Sequence, residues 1–173
     1  MIIIVFGLPG SGKSYFASKL AKKLQARYVN SDVLRNQLFA VKKYSQEEKM
    51  TVYRAMIKEM IIAIQQNANI VLDATFYKES IRTQFTEAVK EFGHSIIFIE
   101  VWADQKIIEE RLGRKRLHSD ADFSVYLTIK ESFEPMKRAH LLLQSTEGNI
   151  DEMIEASLTY IQKSHEQERN KRA

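Results

Sequence analysis

The sequence lacks cysteine altogether and has only two prolines and six glycines among 173 residues. Without cysteine there is no disulfide framework and no cysteine-based zinc site, and the four histidines are scattered without ligand spacing. So few prolines and glycines exclude a linker rich in these residues. No apolar run approaches the roughly 20 residues that span a bilayer, and no charged segment with a small-residue cleavage site marks the N-terminus. We therefore expect a cytoplasmic protein with no membrane partner.

The amino-acid composition is typical of a globular protein. Apolar residues make up 45% of the chain, which excludes a disordered or fibrous class and predicts a core, and the length is close to the roughly 150 residues of one domain. We expect residues 1–173 to form a single domain. Subtracting 22 acidic from 26 basic residues gives a net charge of +4, which is too mild to indicate a nucleic-acid partner.

The apolar pattern alternates between two types along the chain, short unbroken runs and longer stretches of helical spacing. A β-branched run such as Ile2 to Phe6 is typical of a strand covered on both faces. The pattern predicts an α/β fold with a five-stranded parallel sheet, helices on both faces and ligands at the carboxyl ends of the strands. The predicted strands are 2–6, 28–30, 69–73, 95–102 and 140–144, and the predicted helices are 13–25, 33–39, 45–64, 81–92, 104–112, 122–134 and a last one from 149.

A phosphate-binding motif lies between the first strand and the first helix. Its pattern, G-x-x-x-x-G-K-S, needs glycines because the backbone must curl round an anion with its amide hydrogens pointing inward. Lys13 is expected to reach the β and γ phosphates of ATP, and the Ser14 hydroxyl to bind Mg²⁺. The predicted nucleotide-binding residues of the loop are Gly7, Pro9, Gly10, Ser11, Gly12, Lys13 and Ser14.

Asp32 follows the second predicted strand, where it is a candidate general base. A hydroxyl nucleophile needs a carboxylate near the phosphates to orient it and accept its proton. Arg35 is three residues further along the same helix, on the same face, and is expected to hold an anionic part of the acceptor. The alternative is that Asp32 or Ser31 only caps the helix, and that Arg35 is a solvated charge.

Asp73 ends the third predicted strand, which is the arrangement of a carboxylate that holds Mg²⁺ directly or through water. The alternative is a turn contact within residues 73–75.

The sequence excludes two classes of nucleotide-binding protein. The base-reading N-K-x-D motif of a GTPase is missing, and large mechanochemical AAA+ ATPases need a second helical domain and a longer chain.

The chain resembles the small P-loop kinases, the group that includes the kinase domain of polynucleotide kinase, gluconate-kinase-like enzymes, zeta toxins and bacterial "AAA family ATPase" kinases. The resemblance covers most of the chain, implies the three-layer P-loop nucleoside-triphosphate hydrolase fold and supports Asp32 as the base. It rests on four segments in the family's order: Gly7 to Ser14, Asn30-Ser31-Asp32 with Arg35, Val71 to Thr75, and Arg111 to Arg116 followed by Ser119 to Asp122.

The resemblance also implies a short lid over about 113–122 whose arginines close over ATP. Arg111 and Arg114 would bind the nucleotide, and Arg114 would act in catalysis beside Asp32 and Lys13. Thr75 and Arg82 would contact the acceptor, although duty at a helix N-terminus explains both equally well. The alternative for the basic cluster is a solvated turn.

Together these features predict an ATP- and Mg²⁺-dependent kinase that transfers the γ-phosphoryl group to a hydroxyl of an unidentified acceptor. A small molecule is preferred, because +4 is a weak charge for a chain that must hold a polyanion. Two alternatives stay open: a polynucleotide 5′-hydroxyl kinase, and a non-kinase NTPase or ATP-dependent binding module.

Overall fold

The computed structural model describes residues 1–113 and 122–172 and consists of parallel strands alternating with helices. The elements are β1 (Ile2–Phe6), α1 (Lys13–Lys23), β2 (Arg27–Asn30), α2 (Ser31–Leu38), α3 (Gln46–Gln65), β3 (Ile70–Asp73), α4 (Glu79–Lys90), β4 (Ile96–Trp102), α5 (Gln105–Leu112), α6 (Phe123–Glu131), β5 (Leu141–Gln144) and α7 (Ile150–Arg172).

The five strands form one parallel sheet in the order β2-β3-β1-β4-β5, which confirms the predicted sheet. The fully apolar β1 is central and completely buried, as expected for a strand covered on both faces. In the register, Val5 of β1 and Asn30 of β2 both pair with Asp73 of β3. The carboxyl ends of three adjacent strands therefore meet at one edge of the sheet.

Helices cover both faces of the sheet because successive side chains of a strand point to opposite sides. In β1, Ile2, Ile4 and Phe6 pack with residues of α3 and α4 on one face. Ile3 and Val5 pack with residues of α1 and α7 on the other. Within the described ranges, 1–113 and 122–172, no helix has the length and apolarity needed to cross a membrane.

Two helices are capped otherwise than the sequence predicts, and for α5 the predicted cap is Asp104. α2 begins at Ser31, two residues earlier than expected, and its cap is Asn30, whose Oδ1 accepts hydrogen bonds from the amides of Asp32 and Val33. The alternative that Asp32 or Ser31 caps this helix is therefore wrong. Asp104 precedes α5 without a side-chain capping bond. Its carboxylate instead accepts from Gln144 of the neighbouring β5.

Arg82 of α4 is completely buried and holds three segments together. Its guanidinium donates to the carbonyl oxygens of Phe76 at 2.9 Å and Glu134 at 2.8 Å and pairs with Glu79. Most of its hydrogen bonds go to backbone carbonyl oxygens. These bonds replace the water that a buried guanidinium loses. The contacts of Arg82 thus tie α4 to the residues that follow β3 and α6.

Glu48 anchors the connection between α2 and α3. Ser45 followed three residues later by Glu48 predicts a capping box at the start of α3. The box is half formed, because the Ser45 hydroxyl accepts from the Glu48 amide. The Glu48 carboxylate instead accepts from the amides of Lys43 at 2.7 Å and Tyr44 at 3.1 Å and pairs with Arg35. Burial acts to raise the pKa of Glu48, but the bonds from Arg35 and from these two amides outweigh it and bring the pKa below its ordinary value of 4.5.

Glu48→Gln should therefore lower the thermal unfolding midpoint at neutral pH, because the amide cannot pair with Arg35. A carboxyl group whose folded-state pKa is lowered stabilises fully above its unfolded pKa, and loses that contribution as pH falls through the folded value. The difference from wild type should thus be present above pH 4.5 and shrink below it. Circular dichroism melts at neutral and acidic pH measure this. Glu47→Gln, an exposed neighbour, is the control, and equal effects of the two substitutions would contradict the assignment.

Candidate functional site

The phosphate-binding loop has the backbone that its glycines predict. Gly7 and Gly12 have φ values of +146° and +91°, which side chains disfavour. A Cβ on Gly7 would lie 2.1 Å from the carbonyl oxygen of Val101, and one on Gly12 would lie 2.5 Å from the Ser145 hydroxyl. Both positions therefore require glycine. The cradle that these glycines leave open fits a phosphate group at the start of α1.

One cavity beside the loop holds the two predicted carboxylates, and we call it the carboxylate cavity. Its volume is about 400 Å³, within the range of roughly 300–1,000 Å³ that small-molecule sites occupy. It is lined by Pro9, Lys13, Ser14, Asn30, Ser31, Asp32, Arg35, Tyr44, Lys49, Val52, Tyr53, Asp73, Thr75, Tyr77, Ser124, Val125, Thr128 and Ile129.

A second cavity of about 460 Å³, the glycine cavity, lies on the other side of the loop. Lys13 and Ser14 line both cavities, so the end of the loop separates them. Arg111 lines the glycine cavity and donates weakly to the carbonyls of Gly10 and Thr146. Burial lowers its pKa. The other lining residues are Gly10, Gly12, Tyr15, Phe16, Ser145, Thr146, Gly148, Asn149, Ile150 and Met153.

Asp73 is completely buried at the end of β3. Its Oδ2 accepts from the Tyr28 hydroxyl at 2.7 Å and from the Asn30 amide at 2.5 Å. Its Oδ1 is buried and has no hydrogen-bond partner among the described residues. A buried carboxylate oxygen without a donor is costly, and a cation would satisfy it. Asp73 and Ser14 line the same cavity, so this donor set fits Mg²⁺, which takes one or two protein oxygens and completes its shell with phosphates and water.

Tyr28 and Asn30 are site residues that the sequence prediction missed. Tyr28 and Asn30 are two residues apart on β2, so their side chains lie on the same face of the sheet. The register places Asn30 directly beside Asp73. Burial and the Asp73 carboxylate raise the pKa of Tyr28 well above its ordinary value, so the phenol stays protonated as a donor. The sequence feature that could have identified both residues is their spacing of two at the end of a strand, which places two polar side chains on one face.

The predicted residues on the acceptor side divide into two groups. Asp32, Arg35 and Thr75 all line the carboxylate cavity, and the Thr75 hydroxyl lies 3.4 Å from that of Tyr53. Arg35 is buried and paired with Glu48, so it is not the solvated charge of the alternative. Arg82 is not brought to this cavity, because its donors are used in the fold, and we assign it no acceptor contact.

The lid prediction extends beyond what the structure describes. Arg114, with Lys115, Arg116 and the acidic segment up to Ala121, lies outside the described residues, so its predicted role in binding and catalysis stays a prediction. Asp122, at the end of this segment, caps α6 by accepting from the Val125 amide at 3.0 Å and from the Ser124 hydroxyl. These bonds lower the pKa of Asp122.

The chain belongs to the AAA domain family, whose model matches residues 2–136. This confirms the resemblance to small P-loop kinases when it is taken with the solved structures below. A UPF0200 protein of Pyrobaculum aerophilum, PAE1629, is 28% identical over 134 residues, which cover 73% of each chain.

Several solved structures share the fold. A gluconokinase from Sinorhizobium meliloti has a TM-score of 0.74 at 16% identity, with 96% of this chain and 94% of that chain covered. The Mycobacterium tuberculosis APS kinase CysC, in complex with AMPPNP and APS, has a TM-score of 0.70 at 18% identity, with 93% and 97% covered. Kti12 of Chaetomium thermophilum, in complex with ADP-AlF3, has a TM-score of 0.62 at 19% identity, with 92% and 98% covered. At such identities the likeness establishes the P-loop kinase-like fold.

Replacing Asn30 tests the contact with Asp73. Asn30→Asp retains a capping oxygen but sets a second carboxylate against Asp73, and like charges in one site raise a carboxyl pKa. The variant should be less stable than Asn30→Ser at neutral pH by at least about 1 kcal/mol, and the gap should narrow as pH falls toward about 4 and one carboxyl takes a proton. Urea unfolding across this pH range measures the gap. A gap that does not change with pH would show that the two side chains do not interact.

Proposed function

We propose that this protein is an ATP- and Mg²⁺-dependent kinase that transfers the γ-phosphoryl group to a hydroxyl of a small molecule. One observation carries the proposal: Lys13 and Ser14 separate two cavities, and the cavity on one side contains both Asp32 and Asp73. The nucleotide occupies the glycine cavity and the acceptor occupies the carboxylate cavity. The two reactants thus meet at the end of the loop.

The residues of the loop bind and orient the phosphates. The backbone that Gly7 and Gly12 permit surrounds the anion, and Lys13 neutralises charge on the β and γ phosphates. Arg111 lies beside the glycine cavity, where it stabilises the bound nucleotide. Ser14 and Asp73 would hold Mg²⁺, which supplies charge neutralisation when bound. Tyr28 and Asn30 fix the orientation of Asp73.

Asp32 acts on the acceptor as general base. Its carboxylate orients the attacking hydroxyl and takes the proton as the oxygen forms a bond to the γ-phosphorus. The bond from that phosphorus to the bridging oxygen breaks, and ADP leaves with the electron pair. Asn30 caps α2. Helix capping therefore does not explain why position 32 is an aspartate.

Two alternatives are less well supported. A polynucleotide needs a track of cations along its backbone. Among the residues that the structure describes, the cations that line the carboxylate cavity are Lys13, Arg35 and Lys49, and Arg35 is paired with Glu48. A non-kinase NTPase or binding module, the alternative that the nucleotide complex of Kti12 keeps open, has no need of a proton acceptor facing a second cavity.

Substitutions in the loop test nucleotide binding whatever the acceptor is. Lys13→Ala should abolish tight ATP binding, because the lysine neutralises phosphate charge, and should leave the fold intact, because its side chain is only half-buried. Ser14→Ala should mainly weaken the Mg²⁺-dependent part of binding. Isothermal titration with an ATP analogue, with and without Mg²⁺, measures both effects, and Lys22→Ala on the exposed end of α1 is the control. Unchanged affinity in Lys13→Ala would overturn the proposal.

Asp32→Asn separates catalysis from binding. The substitution preserves the shape of the side chain but removes the proton acceptor, so phosphoryl transfer should fall by roughly a hundredfold or more, while binding of the ATP analogue is unchanged. Single-turnover assays with labelled ATP measure the transfer step. Asp151→Asn, on the exposed start of α7, controls for loss of a carboxylate elsewhere. Turnover close to wild type in Asp32→Asn would exclude the residue as the base.

A further inference from the structure

The lining of the carboxylate cavity constrains the acceptor, and this inference rests on the proposed function. Asn30 also lines the cavity, but its carboxamide is bonded to Asp73 and caps α2. Once Asn30 and the groups assigned to phosphate, metal and proton transfer are set aside, the remaining described lining contains no carboxylate and no further carboxamide. It consists of three tyrosines, three aliphatic side chains, two cations and four hydroxyl-bearing side chains. These are Tyr44, Tyr53, Tyr77, Val52, Val125, Ile129, Arg35, Lys49, Ser31, Thr75, Ser124 and Thr128.

Arg35 has an incomplete set of partners. Its side chain is only 10% exposed, and its Nη1 donates to Glu48. The ring of Tyr44 lies 5.0 Å from the centre of the guanidinium. The Nε of Arg35, however, is buried and has no hydrogen-bond partner among the described residues. Buried donors without partners are rare in native structures, and a ligand oxygen in the adjoining cavity would satisfy this one.

Lys49 adds a second cation to the same cavity. Lys49, Val52 and Tyr53 lie at helical spacing on α3, so they share one face of that helix. The Lys49 ammonium lies 5.8 Å from the centre of the Tyr77 ring. The two cations and the tyrosine rings beside them match a ligand that carries both an anionic group and a planar apolar body.

The body of the ligand faces an aromatic and aliphatic surface. Val52 and Tyr53 of α3 and Ile129 of α6 all line the cavity. Burial raises the pKa of Tyr53 to about 12, so the phenol is neutral, and its hydroxyl lies next to that of Thr75. A polyhydroxylated acceptor needs a hydrogen-bond partner for nearly every hydroxyl, and the side chains of Val52 and Ile129 offer none.

The spacing along α2 fixes the relation between the reactive and anionic groups. Asp32 and Arg35 are three residues apart on the helix, so both side chains lie on one face about one turn, or about 5 Å, apart. An acceptor that presents its hydroxyl to Asp32 therefore brings a group at about this distance to Arg35.

We propose that the acceptor is a planar, aromatic-bodied molecule that carries a phosphate or carboxylate about one helical turn from its reactive hydroxyl. The anion binds Arg35 and Lys49, and the ring packs against Tyr53, Val52 and Ile129. A compact polyol is the wrong shape and polarity for this surface. The anion completes the donor set of the buried guanidinium.

Four probes separate the two requirements of ring and anion. Uridine 5′-monophosphate and uridine share an aromatic body with and without an anion, and gluconate and glucose form the same pair with a polyol body. Each probe is titrated by calorimetry into the full chain with Mg²⁺ and saturating ATP analogue, so that the nucleotide site is filled. We expect uridine 5′-monophosphate to bind at least tenfold more tightly than any of the other three. Equal affinity for the two uridine probes, tighter binding of gluconate, or no binding of uridine 5′-monophosphate would each overturn the proposal.

Two substitutions assign the preference to the named cations. Arg35→Lys retains the charge but loses the Nε donor, and Lys49→Met removes a charge at similar length. Each should weaken uridine 5′-monophosphate binding at least tenfold and leave uridine unchanged. Lys58→Met, exposed on the same helix, is the matched control. If Arg35→Lys fails to fold, Lys49→Met alone decides, and an unchanged preference in Lys49→Met would overturn the assignment.

The design distinguishes failure of this inference from failure of the proposed function. If gluconate binds and accepts phosphate in an Asp32-dependent reaction, the kinase proposal stands and the aromatic anion is wrong. If a short single-stranded oligonucleotide, titrated at two salt concentrations, binds with a steep salt dependence that Arg35→Lys abolishes, the small-molecule acceptor is wrong. If ATP analogue does not bind wild-type protein, the proposed function itself fails.

Discussion

The arrangement of the candidate site depends on one buried carboxylate, that of Asp73. It ends β3 and is completely buried, so removing it from water is costly unless its oxygens find partners. Tyr28 and Asn30 supply donors to one oxygen. The other oxygen has none among the described residues. A carboxylate held by one oxygen with the other left available is prepared for a cation, and the lone-pair direction is fixed before any metal arrives.

Asn30 connects this carboxylate to the second one. Its amide nitrogen donates to Asp73, while its amide oxygen caps α2. The cap fixes the start of the helix that carries Asp32 and Arg35. The candidate base, the candidate metal ligand and the proposed anion-binding arginine are therefore held in place by the same asparagine. A functional group on a helix whose first turn is pinned in this way loses little conformational freedom when the ligand binds.

The sequence predicted the sheet because most of its strands, such as β1, are short apolar runs, and because the helices carry apolar stripes. Both patterns are local. The loop was predictable for the same reason, since Gly7 to Ser14 are contiguous. Tyr28 was not, because its role depends on a hydrogen bond across the register to a residue 45 positions away. The resemblance implied an acceptor contact for Arg82, and two partners of its guanidinium are also distant in the sequence. Nothing local in the sequence shows that the carbonyls of Glu134 and Pro135 fold back onto its guanidinium.

Arg35 and Arg82 are both buried arginines, but their side-chain nitrogens are used differently. Each of the three side-chain nitrogens of Arg82 has a partner in the fold: Nε donates to Glu79, Nη1 to Phe76, and Nη2 to Glu134 and Pro135. Arg35 has an ion pair through one nitrogen and a buried Nε without a partner among the described residues. Burial of a guanidinium is stable when its donors are filled. The unfilled Nε beside the cavity is the feature on which the proposed anion contact of Arg35 rests, whereas the partnered guanidinium of Arg82 serves the fold.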